Sequence, residues 1–130
     1  MAIVIKPALK DGAWVICDRF VDSTRAYQGA SGIEDAAILA LHAFGSKALL
    51  PDRTILLTLS PERGVARATL RDGSQADRFI ARDAAFHGRV AACFDRIAEH
   101  EPERVRRVDA DHGAERVTQA ILAELADLLP

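Results

Sequence analysis

The chain has 130 residues, 49% of them hydrophobic, enough for one domain with a real core. Its formal net charge of −2 excludes bulk attraction to nucleic acid or anionic membrane, so any phosphate binding must come from local arginines. No apolar run approaches the roughly 20 residues that span a bilayer, and Lys6-Pro7 interrupts Met1-Ala2-Ile3-Val4-Ile5, so no signal-peptide pattern opens the chain. Cys17 and Cys93 lie far apart and read as free thiols of a reducing cytosol, hence a cytoplasmic protein. His42, His87, His100 and His112 show no metal-ligand spacing.

Residues 3 to 10 read as the end of a helix, with Gly12 as the stop and Pro7 awkward for an interior position. Trp14 to Cys17 reads as a buried strand. A short helix follows, ended by Gly29 and Gly32. The next helix, about Glu34 to Lys47, is apolar nearly all the way round, which predicts burial on more than one side. Thr54 to Leu59 reads as a parallel strand covered on both faces. Ser60-Pro61-Glu62 is a helix start: a hydroxyl cap, a first-turn proline and an acid at the positive end of the dipole. A long helix from about Asp77 to His100 carries the stripe Phe86, Val90, Cys93, Phe94, Ile97, read as core. Val105 to Val108 is a third short strand. Asp109 to Gly113 forms a loop, with Asp111 placed to cap a last helix striped by Val117, Ile121, Leu125 and Leu128. The order β-α-α-β-α-α-β-α predicts a parallel α/β sheet with helical crossovers.

Two stretches carry chemistry. Asp18 to Gly29 reads D-R-F-V-D-S-T-R-A-Y-Q-G, with an acid and an arginine at the carboxyl end of the first predicted strand. That edge is where open α/β sheets bind ligands. Arg19, Ser23 and Tyr27 are spaced to share one helix face, with Thr24 and Gln28 on the adjoining stripe. The plainer reading is a weak surface ion pair beside a half-buried tyrosine. Further on, Arg63, Arg67 and Arg71 recur at intervals of four, Asp72-Gly73-Ser74-Gln75 breaks the helix, and Asp77-Arg78 opens the next. This is either a solvated charged face, partly compensated by Glu62 and Asp72, or a lid whose guanidinium forks close over phosphates.

D-R-F-x-x-S-T-x-A-Y-Q-G resembles the segment that thymidylate kinases carry after the third strand of their sheet. The resemblance runs through nearly the whole chain: I-x-P-A-L-x-x-G before it, P-E-x-G-x-x-R at Pro61 to Arg67, and D-R-F at Asp77 to Phe79. It implies a three-layer, P-loop-kinase-like fold in a single domain over residues 1–130, with a lid at about 67–78. It also implies transfer of the γ-phosphoryl of ATP, with Mg²⁺, to thymidine 5′-monophosphate (dTMP) to give the diphosphate. By this resemblance Arg19 bridges acceptor and donor phosphates. Asp18 orients it and holds the water shell of Mg²⁺. Ser23 and Thr24 meet the thymidylate, Tyr27 packs under the sugar, and Gln28 bonds near base or sugar. Arg67, Arg71 and Arg78 match the lid arginines, with Arg67 and Arg71 on the ATP side. Asp109 and Asp111 match the part beside adenine. The chain departs from the family at Ile80, where an acid usually follows D-R-[FI], and at Thr58.

No G-x-x-x-x-G-K-[ST] occurs in the sequence, and Gly45-Ser46-Lys47 follows a helix instead of preceding one. The family carries that phosphate loop on its first strand, so the chain resembles the carboxyl-terminal two-thirds of a thymidylate kinase and is expected to be truncated at its N-terminus. The absent strand would lie between Trp14–Cys17 and Thr54–Leu59, leaving open edges. The partners implied are dTMP and ATP, with a homodimer or association through the open sheet, and neither nucleic acid nor membrane. Two functions stay open: the larger part of a thymidylate kinase, or an inactive fragment that binds only nucleotide or protein. Another nucleotide or deoxynucleoside kinase fits the Ser-Thr and Ala-Tyr-Gln pattern less well.

Overall fold

Two short parallel strands organise the chain, in a computed structural model that describes residues 2–72 and 76–129. The order is α1 (Ala2–Lys10), α2 (Val21–Ala30), α3 (Asp35–Ser46), β1 (Thr54–Thr58), α4 (Pro61–Asp72), α5 (Ala76–His100), β2 (Val105–Asp109) and α6 (Ala114–Glu124). β1 pairs with β2 from Thr54↔Val105 to Thr58↔Asp109, and α4 with α5 makes the crossover that parallel pairing requires. The α/β class with helical crossovers is therefore what the sequence pattern predicts. α4 starts as its sequence dictates, with the Arg63 amide donating to Ser60 Oγ at 3.3 Å.

The core lies between α2, α5 and β2. Ala26 and Ala30 meet Val90, Cys93, Ile97 and Ala98 over Val105, with Tyr27, Leu56, Phe86 and Phe94 packed around them. Small residues on α2 let the helices approach closely. A Cβ at Gly29 would sit 3.4 Å from Cys93 Sγ, so Gly29 is a packing position inside α2 and not its stop. Gly32 ends the helix, at φ 94°, with the Ile33 amide bonded to Gln28 O and its own amide to Gly29 O. Gly12 ends α1 in the same way, at φ 78°.

Three expectations are corrected. Trp14 to Cys17 forms no strand; Ile16 is 93% exposed, and Trp14 and Cys17 are exposed as well. An isolated extended stretch has nothing to bond its N–H and C=O groups, and no strand lies beside it among the described residues. Cys17 is accordingly exposed, while Cys93 is buried. α3 buries Ile38 but leaves Leu41 and Phe44 outside, Phe44 at 92% exposure, because it packs mainly on α2. β1 is covered incompletely, with Leu57 exposed. The break Gly73-Ser74-Gln75 lies outside the described residues.

α3 stops on non-glycine residues in the left-handed region, Lys47 and Ala48, both at φ 55°. That conformation costs an L-residue roughly 1–2 kcal/mol, and glycine avoids the clash at some entropic cost. Lys47→Gly is expected to raise stability by about 0.5–1 kcal/mol in urea unfolding. An unchanged or lowered midpoint would contradict this account of the α3 stop.

Candidate functional site

The Asp18–Phe20 turn joins the exposed segment to α2, and its geometry differs from the helix face read from spacing. Arg19 precedes α2 and takes φ 63°, a left-handed backbone that a bulky residue rarely adopts. Its side chain nevertheless reaches Tyr27, with the guanidinium carbon 5.5 Å from the ring centroid. No side chain caps the start of α2, where the Ser23 and Thr24 amides turn back to Phe20 O. Arg19, Phe20, Val21, Ser23, Thr24 and His42 line a cavity of about 350 Å³. Arg19, Ser23 and Thr24 thus line one cavity, and their side chains bring donors suited to phosphoryl or hydroxyl oxygens. Asp18 and Gln28 are exposed and are not among the residues that line the cavity. Tyr27 is half-buried and meets Phe86 edge-on at 6.1 Å.

A second group forms where β2 ends. Asp109 Oδ1 accepts the Asp111 amide at 2.8 Å, and His112 Nε2 lies 3.3 Å from the other oxygen. Arg63 Nε donates to Asp111 Oδ1 at 2.7 Å, and Arg67 Nη2 donates to Ala110 O at 2.9 Å. Arg67 of the predicted lid, and Arg63 one turn before it, thus rest on the loop predicted to lie beside adenine. Asp111 turns to Arg63 and does not cap α6, whose cap position is Gly113. The side chains of Arg71 and Arg78 lie outside the described residues. No hydrogen bond or ion pair among the described residues joins this group to the Arg19 cavity.

Behind α2 lies a network that the motif reading missed. Asp22 and Arg25 are only 4% and 5% exposed. Arg25 grips Asp35 with two bonds of 2.7 Å, and its Nη1 reaches Glu101 at 2.6 Å and Asp22 at 3.1 Å. Arg104 grips Asp22 with two bonds of 2.8 Å and reaches Glu101 at 2.6 Å. Thr54 Oγ1 donates to Asp22 Oδ2 at 2.7 Å. The network ties α2 to α3, β1 and the segment between α5 and β2. Its only local traces are the Asp22-Arg25 and Glu101-Arg104 spacings.

These contacts set the charge states. Burial works against the Asp22 carboxylate, but bonds from Arg104 and Thr54 outweigh it and hold the carboxyl below its ordinary range. The Arg25 bonds lower Asp35 against the cost of burial. Burial also opposes the Glu101 carboxylate, and Arg104 and Arg25 together lower it. Bonds to Asp35 raise Arg25, and bonds to Asp22 raise Arg104, so both cations stay charged.

The parallel α/β architecture is that of the P-loop-kinase-like class, and the comparison with known families is what assigns it. The thymidylate kinase family profile matches residues 1–121, and the chain belongs to that family. It is 48% identical over 131 residues to a thymidylate kinase of Rhizorhabdus wittichii, covering 100% of this chain and 63% of the relative. It is 44% identical over 120 residues to one of Exiguobacterium sp., covering 92% and 56%. It is also 44% identical over 126 residues to one of Nitrobacter hamburgensis, covering 95% and 55%. The chain thus spans 55% to 63% of the length of these curated relatives.

Removing Asp22 leaves two buried or half-buried guanidiniums short of a partner. Asp22→Ala is expected to cost about 3–5 kcal/mol in urea unfolding at neutral pH. The three carboxyls are lowered in the folded state, so their stabilisation is complete above the ordinary carboxylate pKa of about 4 and fades as pH falls below it. The gap between wild type and Asp22→Asn should therefore narrow in acid. A gap that stays constant or widens would refute the charge assignment.

Proposed function

We propose that the chain acts as the larger part of a thymidylate kinase, transferring the γ-phosphoryl of ATP to dTMP to give the diphosphate. The observation that carries the reading is Arg19, held in a left-handed turn against Tyr27 and sharing a cavity wall with Ser23 and Thr24. Strained backbone at a polar cavity is a mark of functional sites.

In this reading the Arg19 guanidinium bridges the acceptor and donor phosphates and holds them in line. Phosphoryl transfer rests on such positioning and charge neutralisation. Ser23 and Thr24 hold the thymidylate, Tyr27 sits under the sugar, and Gln28 bonds near base or sugar. Arg67, Arg71 and Arg78 neutralise charge from the lid, and Asp109 and Asp111 flank adenine. Arg67 resting on Ala110 fits that pairing of lid and adenine loop. Among the described residues no group of three His, Cys, Asp or Glu side chains could chelate a metal. The exposed carboxylate of Asp18 fits contact through water with Mg²⁺, which keeps several waters when bound. Bound there, the ion supplies charge neutralisation for the phosphates. A cytosolic site fits the free thiols, and a homodimer or association through the open sheet fits the edge that β1 leaves unpaired among the described residues.

A second reading is an inactive, nucleotide- or protein-binding module, favoured by the lack of any G-x-x-x-x-G-K-[ST] motif in the sequence. Assay of this polypeptide by itself tests the proposal. Lacking a backbone cradle for ATP phosphates, it should turn over far below the roughly 1–100 per second of ordinary kinases. It should still bind dTMP, and Arg19→Ala should weaken that binding by about ten- to a hundredfold in calorimetry, the worth of a charged hydrogen bond. Turnover at ordinary kinase rates would remove the incomplete-enzyme reading. Equal binding by Arg19→Ala would remove the bridging role.

A further inference from the structure

His42 belongs to α3, yet its ring lines the same cavity as Arg19, Ser23 and Thr24. It meets the Phe20 ring edge-on, with centroids 5.4 Å apart and planes at 79°. The imidazole is itself held: Nε2 lies 2.6 Å from Leu49 O, which makes that nitrogen the N–H donor. Ser46 Oγ lies 3.1 Å from Nδ1 and 2.8 Å from the His42 carbonyl. Phe20 directly follows the left-handed Arg19 and occupies the cap position of α2. The turn is therefore braced on two sides. Tyr27 takes the Arg19 side chain, and His42 takes the ring of the next residue.

We propose that His42 is a positioning residue for the acceptor nucleotide. Its ring fixes Phe20, and through Phe20 the strained turn that aims Arg19 into the cavity. The proposal rests on the reading of this cavity as the dTMP pocket. It reaches that pocket from a helix outside the D-R-F-x-x-S-T motif. A left-handed arginine relaxes readily once its neighbour is free, so the loss of the ring should be felt in ligand affinity first. The Leu49 bond serves to hold the ring, and ring packing is the part that acts on the turn.

The test is calorimetric titration of the full chain with dTMP, alongside urea unfolding of each variant. His42→Ala should weaken binding by about three- to tenfold, the worth of an edge-to-face pair. His42→Phe keeps a ring against Phe20 but loses the bond to Leu49 O. It should recover most of the affinity while remaining less stable than the wild type. A purely structural residue would give affinity that follows stability, so this separation supports the proposal. Wild-type affinity in His42→Ala would overturn it and leave the pocket reading standing. Affinity in His42→Phe as poor as in His42→Ala would also overturn it, since ring packing would not be the carrier. Failure of the wild-type chain to bind dTMP would overturn the pocket reading, and this inference with it.

Discussion

The fold depends on Asp22 accepting two arginines and a threonine at once in a nearly dry place. Its partners come from α2 itself, from the start of β1 and from the end of the α5–β2 connection. Take the carboxylate away and those elements lose the point at which they meet. Isolated buried ion pairs are weak sources of stability, because desolvation consumes the attraction. This one is differently placed. Forked bonds in two directions satisfy the lone pairs, and Asp35 and Glu101 complete the coordination of the guanidiniums. The network fixes the direction of α2 more than it deepens the energy well.

That direction decides what the opposite face of α2 can do. One side carries Asp22, Arg25, Ala26 and Ala30 into the interior. The other leaves Ser23 and Thr24 on the wall of the cavity, with Tyr27 standing between core and surface. The carboxyl end of the sheet gathers the second polar group, Asp109 to His112, against Arg63 and Arg67. Both groups sit at ends of elements, where backbone ceases to be committed to helix or ladder and side chains can meet a ligand.

Local signals are legible where a local cause exists. Ser60 with Pro61, and the glycines at 12 and 32, set helix ends by stereochemistry that any neighbour would leave intact. The α5 stripe named Val90, Cys93 and Ile97 because a long helix samples its apolar period several times. Non-local features were hidden. The Arg104–Asp22 bonds join residues far apart in sequence, and neither motif nor period marks them. Trp14 to Cys17 has the composition of a strand, but a strand is a property of a pair, and composition cannot supply the mate. The same holds for Leu41 and Phe44: apolar content reports a capacity for burial, and only packing shows whether anything covers it. Spacing pairs Arg19 with Tyr27 by helical stacking, whereas the contact comes from a turn.

The positive φ at Arg19 sets two selective demands against each other. For the polypeptide alone, glycine is the better occupant of that dihedral, and an arginine there is a standing handicap. For a ligand, glycine is worthless, as it offers neither charge nor reach. Directed evolution for heat resistance would thus be drawn to replace this residue, and selection for nucleotide affinity would be drawn to keep it. The position is a natural place to look for antagonism between robustness and use.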